Sequence, residues 1–335
     1  MAQELELKLG LTPEQAARFS SIPMLQRQSP TSSQLLLNLY YDTPDEQLKR
    51  HKIAVRVRKA GDQWIQTLKT AGVVDSSGIS QRGEWEWSID GPALQLDRLT
   101  EHLPSSIDCS QLYPTFSTNF KRTTWQMWVD DTEIELACDQ GEIRSGNRVA
   151  PIAELELELK GSNDLTALQT LSLDIARVVP VWIGVRSKAQ RGQELKFERS
   201  PLPDLPDMRL DSGSPSEIAG LCEKLLSHWA QSYELLIMAC DAELMNTLIS
   251  ALERLMSALR MLNQETSCEH LLTRYHRLFL TLLPLMDLAY FSGSEPRWYR
   301  RQQDKARGDI ARLLEQLEPG LLALETGHYL QRISR

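Results

Sequence analysis

Leucine and charge alternate strictly at two places in this chain, Glu4-Leu5-Glu6-Leu7-Lys8 and Glu154-Leu155-Glu156-Leu157-Glu158-Leu159-Lys160. A period of two places successive side chains on opposite faces of a β-strand. Each segment therefore predicts a strand with one face of leucines and one of carboxylates ending in lysine. Other alternating runs obey the same rule with different signs. Val55 and Val57 oppose Arg56 and Arg58; Ile65, Thr67 and Lys69 share a phase; Arg82, Glu84 and Glu86 oppose Trp85 and Trp87; Glu133, Glu135 and Asp139 share a phase; and Arg122 stands in "NFKRTTWQMWV". Like charges two residues apart repel, which an ordinary solvent face avoids by mixing its signs. Two arrangements satisfy the pattern. One is a two-faced antiparallel sheet with its charged side in water; the other is a closed barrel whose charges line the lumen while helices cover its apolar outer face.

Turn signals such as "YDTPDE", "KAGDQ", "VDSSG" and "VDDTE" punctuate residues 1–199. Pro201, Pro203, Pro206 and Pro215, set among Ser, Asp and Gly, give residues 200–216 the composition of a linker. Beyond it the period changes. Ile218, Leu221, Leu225, Trp229, Leu236 and Cys240 recur near helical spacing, followed by Leu244, Leu248, Leu252, Leu255, Leu259 and Leu262. Residues 217–335 are expected to form an all-α bundle, with Ser216 as its first N-cap and Pro319-Gly320 as a late stop. The class is α+β, in three parts: 1–199, 200–216 and 217–335.

Composition narrows the chemistry. With 45 acidic and 37 basic residues in 335, the net charge is −8, which argues against a duplex nucleic-acid partner, since such binders carry a basic stripe or domain. No apolar run approaches the roughly eighteen residues of a membrane span, and no signal peptide opens the chain. The expectation is a cytoplasmic protein without a membrane partner. Five scattered cysteines show no metal-site spacing and predict neither zinc nor a disulfide frame. An acidic chain can still take a polyanion when carboxylates hold divalent cations that bridge to phosphate oxygens and Arg and Lys neutralise the rest.

In chain order, "MAQELELKL", "LNLYYDTPDEQL", "VRVR", "TLKTAG", "QRGEWEW", "FSTNFKRTTW", "IELACDQGEI", "ELELELK" and "RSKAQRG" resemble the CYTH superfamily of triphosphate tunnel metalloenzymes. The resemblance covers roughly residues 1–195. It implies a closed eight-stranded antiparallel β-barrel, a tunnel with flanking helices, in which the carboxylates face the lumen. It makes Glu4, Glu6, Asp139, Glu154 and Glu156 metal-site acids, and Lys8, Arg56, Arg58, Lys69, Arg82, Arg122 and Lys188 substrate-binding residues. The catalytic set it implies is Glu4, Glu6, Lys8, Asp139 and Glu156. The implied cofactor is Mg2+ or Mn2+, one ion on Glu4, Glu6 and Glu156 and a second nearer Asp139 and Glu154.

The activity implied is hydrolysis of inorganic triphosphate to pyrophosphate and phosphate. Thiamine triphosphatases and class IV adenylate cyclases share the fold, and a polyphosphate-binding module is the non-catalytic alternative; retention of the metal-site acids speaks against the last. Where some relatives carry a lysine two positions before Arg122, this chain has Phe120, and Lys121 is expected to face outward. Glu84 and Glu86 are expected to pair with lumen arginines, and Arg186 and Arg191 to lie at the rim. Tyr40, Tyr41 and Asp42 read as strand-end packing and turn capping. The C-terminal part resembles a shortened CHAD domain. Its "LISALERLMSALRML" keeps Arg254 and Arg260 but has no histidine. Arg297, Arg300, Arg301, Lys305, Arg307 and Arg312 are expected on a solvated helix face, and the bundle to act as a scaffold or homo-oligomer contact.

Overall fold

The computed structural model describes residues 2–26, 29–70, 73–74, 79–162, 164–196, 203–239, 242–286 and 318–334, and positions 305, 308, 309, 312 and 316. The chain divides into two compact units, one holding residues 1–74, 79–168 and 186–200, the other 169–185 and 201–335.

The alternating segments of the first unit form nine strands: β1 (Ala2–Gly10), β2 (Ser32–Asp42), β3 (Ala54–Ala60), β4 (Gln63–Lys69), β5 (Val73–Val74), β6 (Ile79–Ile89), β7 (Tyr113–Val129), β8 (Thr132–Ser145) and β9 (Arg148–Lys160). All their pairings are antiparallel, in the order β1-β9-β8-β7-β2-β3-β4-β6-β5. β1 has a partner on each side: Lys8 lies opposite Glu156 of β9, and Glu4 opposite Arg82 of β6.

The two faces are used as the alternation requires. On one face, Leu7, Leu9, Leu136, Leu155 and Leu157 are buried. There α1 (Pro13–Arg18) packs against β8 and β9, with a capping box between Thr12 and Gln15 setting its start. Phe19 meets Trp125 edge-on at 5.9 Å. A second cluster on this face joins Val55 and Leu68 to Leu48 of α2 (Gln47–Arg50) and Leu99 of α3 (Leu96–Thr100), with Trp85 and Trp87 against it. Asp42 caps α2, accepting from the N–H groups of Thr43 and Leu48 at 2.8 and 2.9 Å, the turn-capping role expected for it. On the opposite face, Leu36, Tyr40, Phe116, Phe120, Ile143 and Ile152 form an apolar cluster, and Ala189 and Leu195, from α5 (Lys188–Glu194) and its C-cap, pack against it.

In the second unit, α6 (Pro215–Ala239), α7 (Ala242–Leu262), α8 (Glu269–Met286) and α9 (Glu318–Ser334) pack around Trp229, Leu248, Leu252, Leu255, Tyr275 and Leu324. α9 also contacts β10 (Trp182–Ile183). The last residues of α4 (Leu165–Ala176) belong to this unit, and Gln169 bonds Gln331.

Two helix-end expectations are corrected. Ser214, not Ser216, accepts the Glu217 N–H, at 3.3 Å, so Pro215 takes the first helical turn, where its missing donor costs nothing. Pro319 and Gly320 likewise open α9 rather than closing a helix. Among the described residues no helix is long and apolar enough to cross a membrane. The four described cysteines are free and buried, and Cys240 lies outside the described residues. Of the basic positions 297–312, Lys305 and Arg312 are exposed and Arg297, Arg300, Arg301 and Arg307 lie outside the described residues.

Candidate active site

Register brings the acids together. Asp139 of β8 lies directly opposite Glu154 of β9, and Ala137 opposite Glu156, so Glu156 is diagonal to Asp139 and the three carboxylates share one face. One oxygen each of Asp139, Glu154 and Glu156 lies within 4.8 Å of the others. Asp139 and Glu154 are buried, as is Glu6 on the neighbouring β1. The backbones of Glu4 and Arg82 are paired as given above; their side chains lie outside the described residues.

Cations are packed into this acidic corner. Arg122, across the ladder on β7, grips Asp139 through two parallel bonds of 2.7 Å and also bonds Glu156. Lys8 sits 3.4 Å from Glu156, 3.7 Å from Glu6 and 3.9 Å from Glu154. From α5, Lys188 places its ammonium 2.6 Å from Asp139 and 3.0 Å from Glu156 and bonds Glu154 as well, while Arg191 donates to Glu154 at 2.8 Å. The Phe120 ring lies 4.9 Å from the Lys188 ammonium and 5.7 Å from the Arg122 guanidinium, at cation–π range. Lys121, one residue out of phase, is exposed.

The electrostatics follow from burial opposed by close counter-charges. Burial disfavours a charged Lys188, yet Asp139, Glu154 and Glu156 overcome it and its pKa is raised. The same holds for Lys8, raised by Glu6, Glu156 and Glu154 against burial. Burial would raise Asp139 and Glu156, but Lys188 and Arg122 hold Asp139 below the ordinary range, and Lys188, Arg122 and Lys8 hold Glu156 well below it.

A more basic zone lies on the same face. Arg56 stands 3.8 and 3.7 Å from Glu84 and Glu86, and Lys69 3.0 Å from Glu84, the pairing expected of these glutamates. Arg58 has Asn38 as its partner, Nε donating to Oδ1 at 2.9 Å, and makes no ion pair among the described residues. Burial, with Arg56 and Arg122 nearby, pushes its pKa down to about 10. The Nε atoms of Arg56 and Arg191 are buried without a hydrogen-bond partner.

Four placements were not legible in the sequence. Arg186 is buried rather than at a rim, on Glu194 at 2.8 Å, and Arg191, half-buried, reaches Glu154 at 2.8 Å. Tyr40 does pack, stacked on Phe116 at 4.6 Å, but its hydroxyl also meets Arg56 at 3.4 Å, and its pKa is lowered by Arg56 and Arg58 in spite of burial. Asn38, buried and held by the Thr118 carbonyl at 2.8 Å, orients Arg58. Its signal was a lone amide in phase with Tyr40 within "LLLNLYY".

The donor set of Asp139, Glu154 and Glu156 is all oxygen, convergent and already seats an ammonium, so it suits a hard cation and can hold a metal ion. An antiparallel sheet with one buried, charged face carrying such a cluster defines the class, and the chain matches the CYTH domain over residues 2–176, which places it in the CYTH family. It is also 36% identical over 206 residues to an inorganic triphosphatase of Haemophilus influenzae, a match covering 57% of this chain and 54% of that protein, so the chain spans about half the length of this relative. Two solved structures show lower similarity. A candidate adenylyl cyclase from Hippeastrum, described as having a dominant triphosphatase activity, is 19% identical with a TM-score of 0.45, over 57% of this chain and 95% of that one. A candidate adenylate cyclase from Bacillus halodurans is 21% identical with a TM-score of 0.36, over 57% and 98%.

Proposed function

We propose that this chain is a divalent-cation-dependent inorganic triphosphatase that cleaves tripolyphosphate to pyrophosphate and phosphate within a closed eight-stranded tunnel. The tunnel reading is supported by β1 pairing with both β9 and β6, which joins β1, β9, β8, β7, β2, β3, β4 and β6 into one ring. The observation that carries the function is the juxtaposition, on one face, of a carboxylate cluster suited to a cation and an arginine, Arg58, short of counter-charge. Among the described residues Arg58 has only a neutral amide as partner, and Arg56, though paired with Glu84 and Glu86, keeps an unspent donor. Such a face is completed by an anion that arrives with a metal.

Asp139, Glu154 and Glu156, with Glu4 and Glu6 on the adjoining strand, would hold Mg2+ or Mn2+. When bound, that ion supplies charge stabilisation at phosphate oxygens and a water of lowered pKa. The chain's own residues do the rest. Arg56, Arg58, Lys69, Arg82 and Arg122 hold the phosphate chain by charge-assisted bonds, which orient the terminal phosphoryl and stabilise the charge that grows on the leaving oxygen. Lys8 and Lys188 bridge between the acids and that chain. Phe120 supplies no proton acceptor, so an acceptor for the proton of the attacking water would have to come from the carboxylate cluster. The helical residues 217–335 we read as a scaffold.

The test is phosphate release from tripolyphosphate, ATP, thiamine triphosphate and long-chain polyphosphate, each with Mg2+, Mn2+ or EDTA. Preferential, metal-dependent turnover of tripolyphosphate is expected. Turnover of tripolyphosphate in EDTA equal to that with metal, or preference for thiamine triphosphate or ATP, would overturn the reading.

A further inference from the structure

The described charges of the acidic corner cancel. Glu6, Asp139, Glu154 and Glu156 are matched by Lys8, Arg122, Lys188 and Arg191, four charges of each sign. Two further positive charges add at a cost to a cluster whose described groups are already balanced, unless existing cations turn elsewhere or anions arrive. Of the four, Lys8 and Arg122 are held in strand ladders, Lys8 opposite Glu156 and Arg122 between Gln34 and Asp139. Lys188 is not. It sits at the start of the seven-residue α5, and its ammonium bonds the same three carboxylates that converge as a cation site.

We infer that Lys188 is the resident counter-cation of Asp139, Glu154 and Glu156 in the metal-free protein and exchanges for the divalent cation, so that metal loading releases α5 and frees the ammonium for the phosphate chain. This rests on the metal-dependent reading above and adds an order to it, metal before tight grip on the anion. Phe120 is a positioning residue in this scheme: its ring lies 4.9 Å from the ammonium, favouring the parked position.

An ordinary metal site quiets everything around it, whereas exchange has opposite effects on the two sides. Hydrogen exchange read by mass spectrometry on the full chain, without substrate and with or without saturating Mg2+, should show slower exchange in residues 136–142 and 152–158 but about fivefold faster exchange in residues 188–194. Calorimetric titration with Mg2+ should find Lys188→Met binding about tenfold more tightly than wild type, and Phe120→Leu about threefold more tightly. Phe120→Leu keeps the question open to test if Lys188→Met does not fold. Saturable Mg2+ binding with unchanged or slower exchange in 188–194, or with no gain in affinity in either variant, overturns the exchange while leaving the metal site standing. Absence of any Mg2+ binding to the wild type overturns both.

Discussion

Gly192 controls how closely α5 approaches β7, and Gly192→Ala tests whether that approach matters. A Cβ on Gly192 would lie 2.8 Å from Phe116 Cγ and closer still to Cδ2 and Cε2, where ordinary contact begins at 3.4 Å. At least 0.6 Å must be found, the difference between 3.4 and 2.8 Å. Phe116 cannot readily yield it, because the ring is buried and stacked on Tyr40, whose hydroxyl meets Arg56. The helix must lift instead. A shift of that size carries the Lys188–Glu156 contact from 3.0 Å to about 3.6 Å, past useful hydrogen-bond length. Alanine is the better helix former by about 0.8–1.0 kcal/mol, while overpacking costs typically 1–3 kcal/mol, so net destabilisation of up to about 2 kcal/mol is expected. Activity should fall further than stability. Misplacement of binding groups by around 1 Å can cost up to about a hundredfold, and a loss of tenfold or more in kcat/KM for tripolyphosphate is expected. Urea denaturation and phosphate release measure the two effects. A variant stabilised by about 1 kcal/mol, as helix propensity alone requires, with wild-type kcat/KM, would refute the packing argument.

Charge placement predicts a split in kinetic parameters. Arg58→Ala should raise KM about tenfold with a smaller change in kcat, whereas Glu156→Gln, which strips Arg122, Lys8 and Lys188 of a shared acceptor, should lower kcat by about a hundredfold or more and weaken Mg2+ binding. Steady-state kinetics and calorimetry read both, and identical parameters in the two variants would count against separate cation and anion zones. In the helical unit, burial and then Arg332 push His328 down to about 4 from an ordinary 6.5. The unfolded chain therefore takes up this proton first as pH falls. The contribution of neutral His328 is fully present above about pH 6.5 and is lost progressively toward pH 4, by up to about 3 kcal/mol. Denaturation of wild type and His328→Leu at pH 7 and 4.5 should show the wild type losing roughly 2–3 kcal/mol more; parallel losses would contradict it.

Much of this molecule was written locally. Period-two alternation is a property of the extended backbone, so the strands bearing Glu6, Arg56, Arg58, Asp139 and Glu156, and the apolar opposite face of Leu7, Val55 and Leu157, could be read without knowing any partner. The switch to helical period beyond the prolines was legible for the same reason. Cap identity was less so. Ser214 and Ser216 are chemically alike, and only the turn from Asp211 to Gly213, whose N–H groups converge on Glu217, selects the first. What alternation cannot state is which residue stands opposite which. The meeting of Asp139 with Glu154 depends on β8–β9 register, and the two-sided pairing of β1 depends on β6 reaching it from far along the chain. The placement of Lys188 and Arg191 against those acids was decided by a packing event remote in sequence. Gly192 lets α5 lie against Phe116, close enough for one lysine to touch three carboxylates. Local pattern sets the face a side chain points to; only long-range packing sets which charges meet there, because Coulomb energy depends on distances that the fold alone determines.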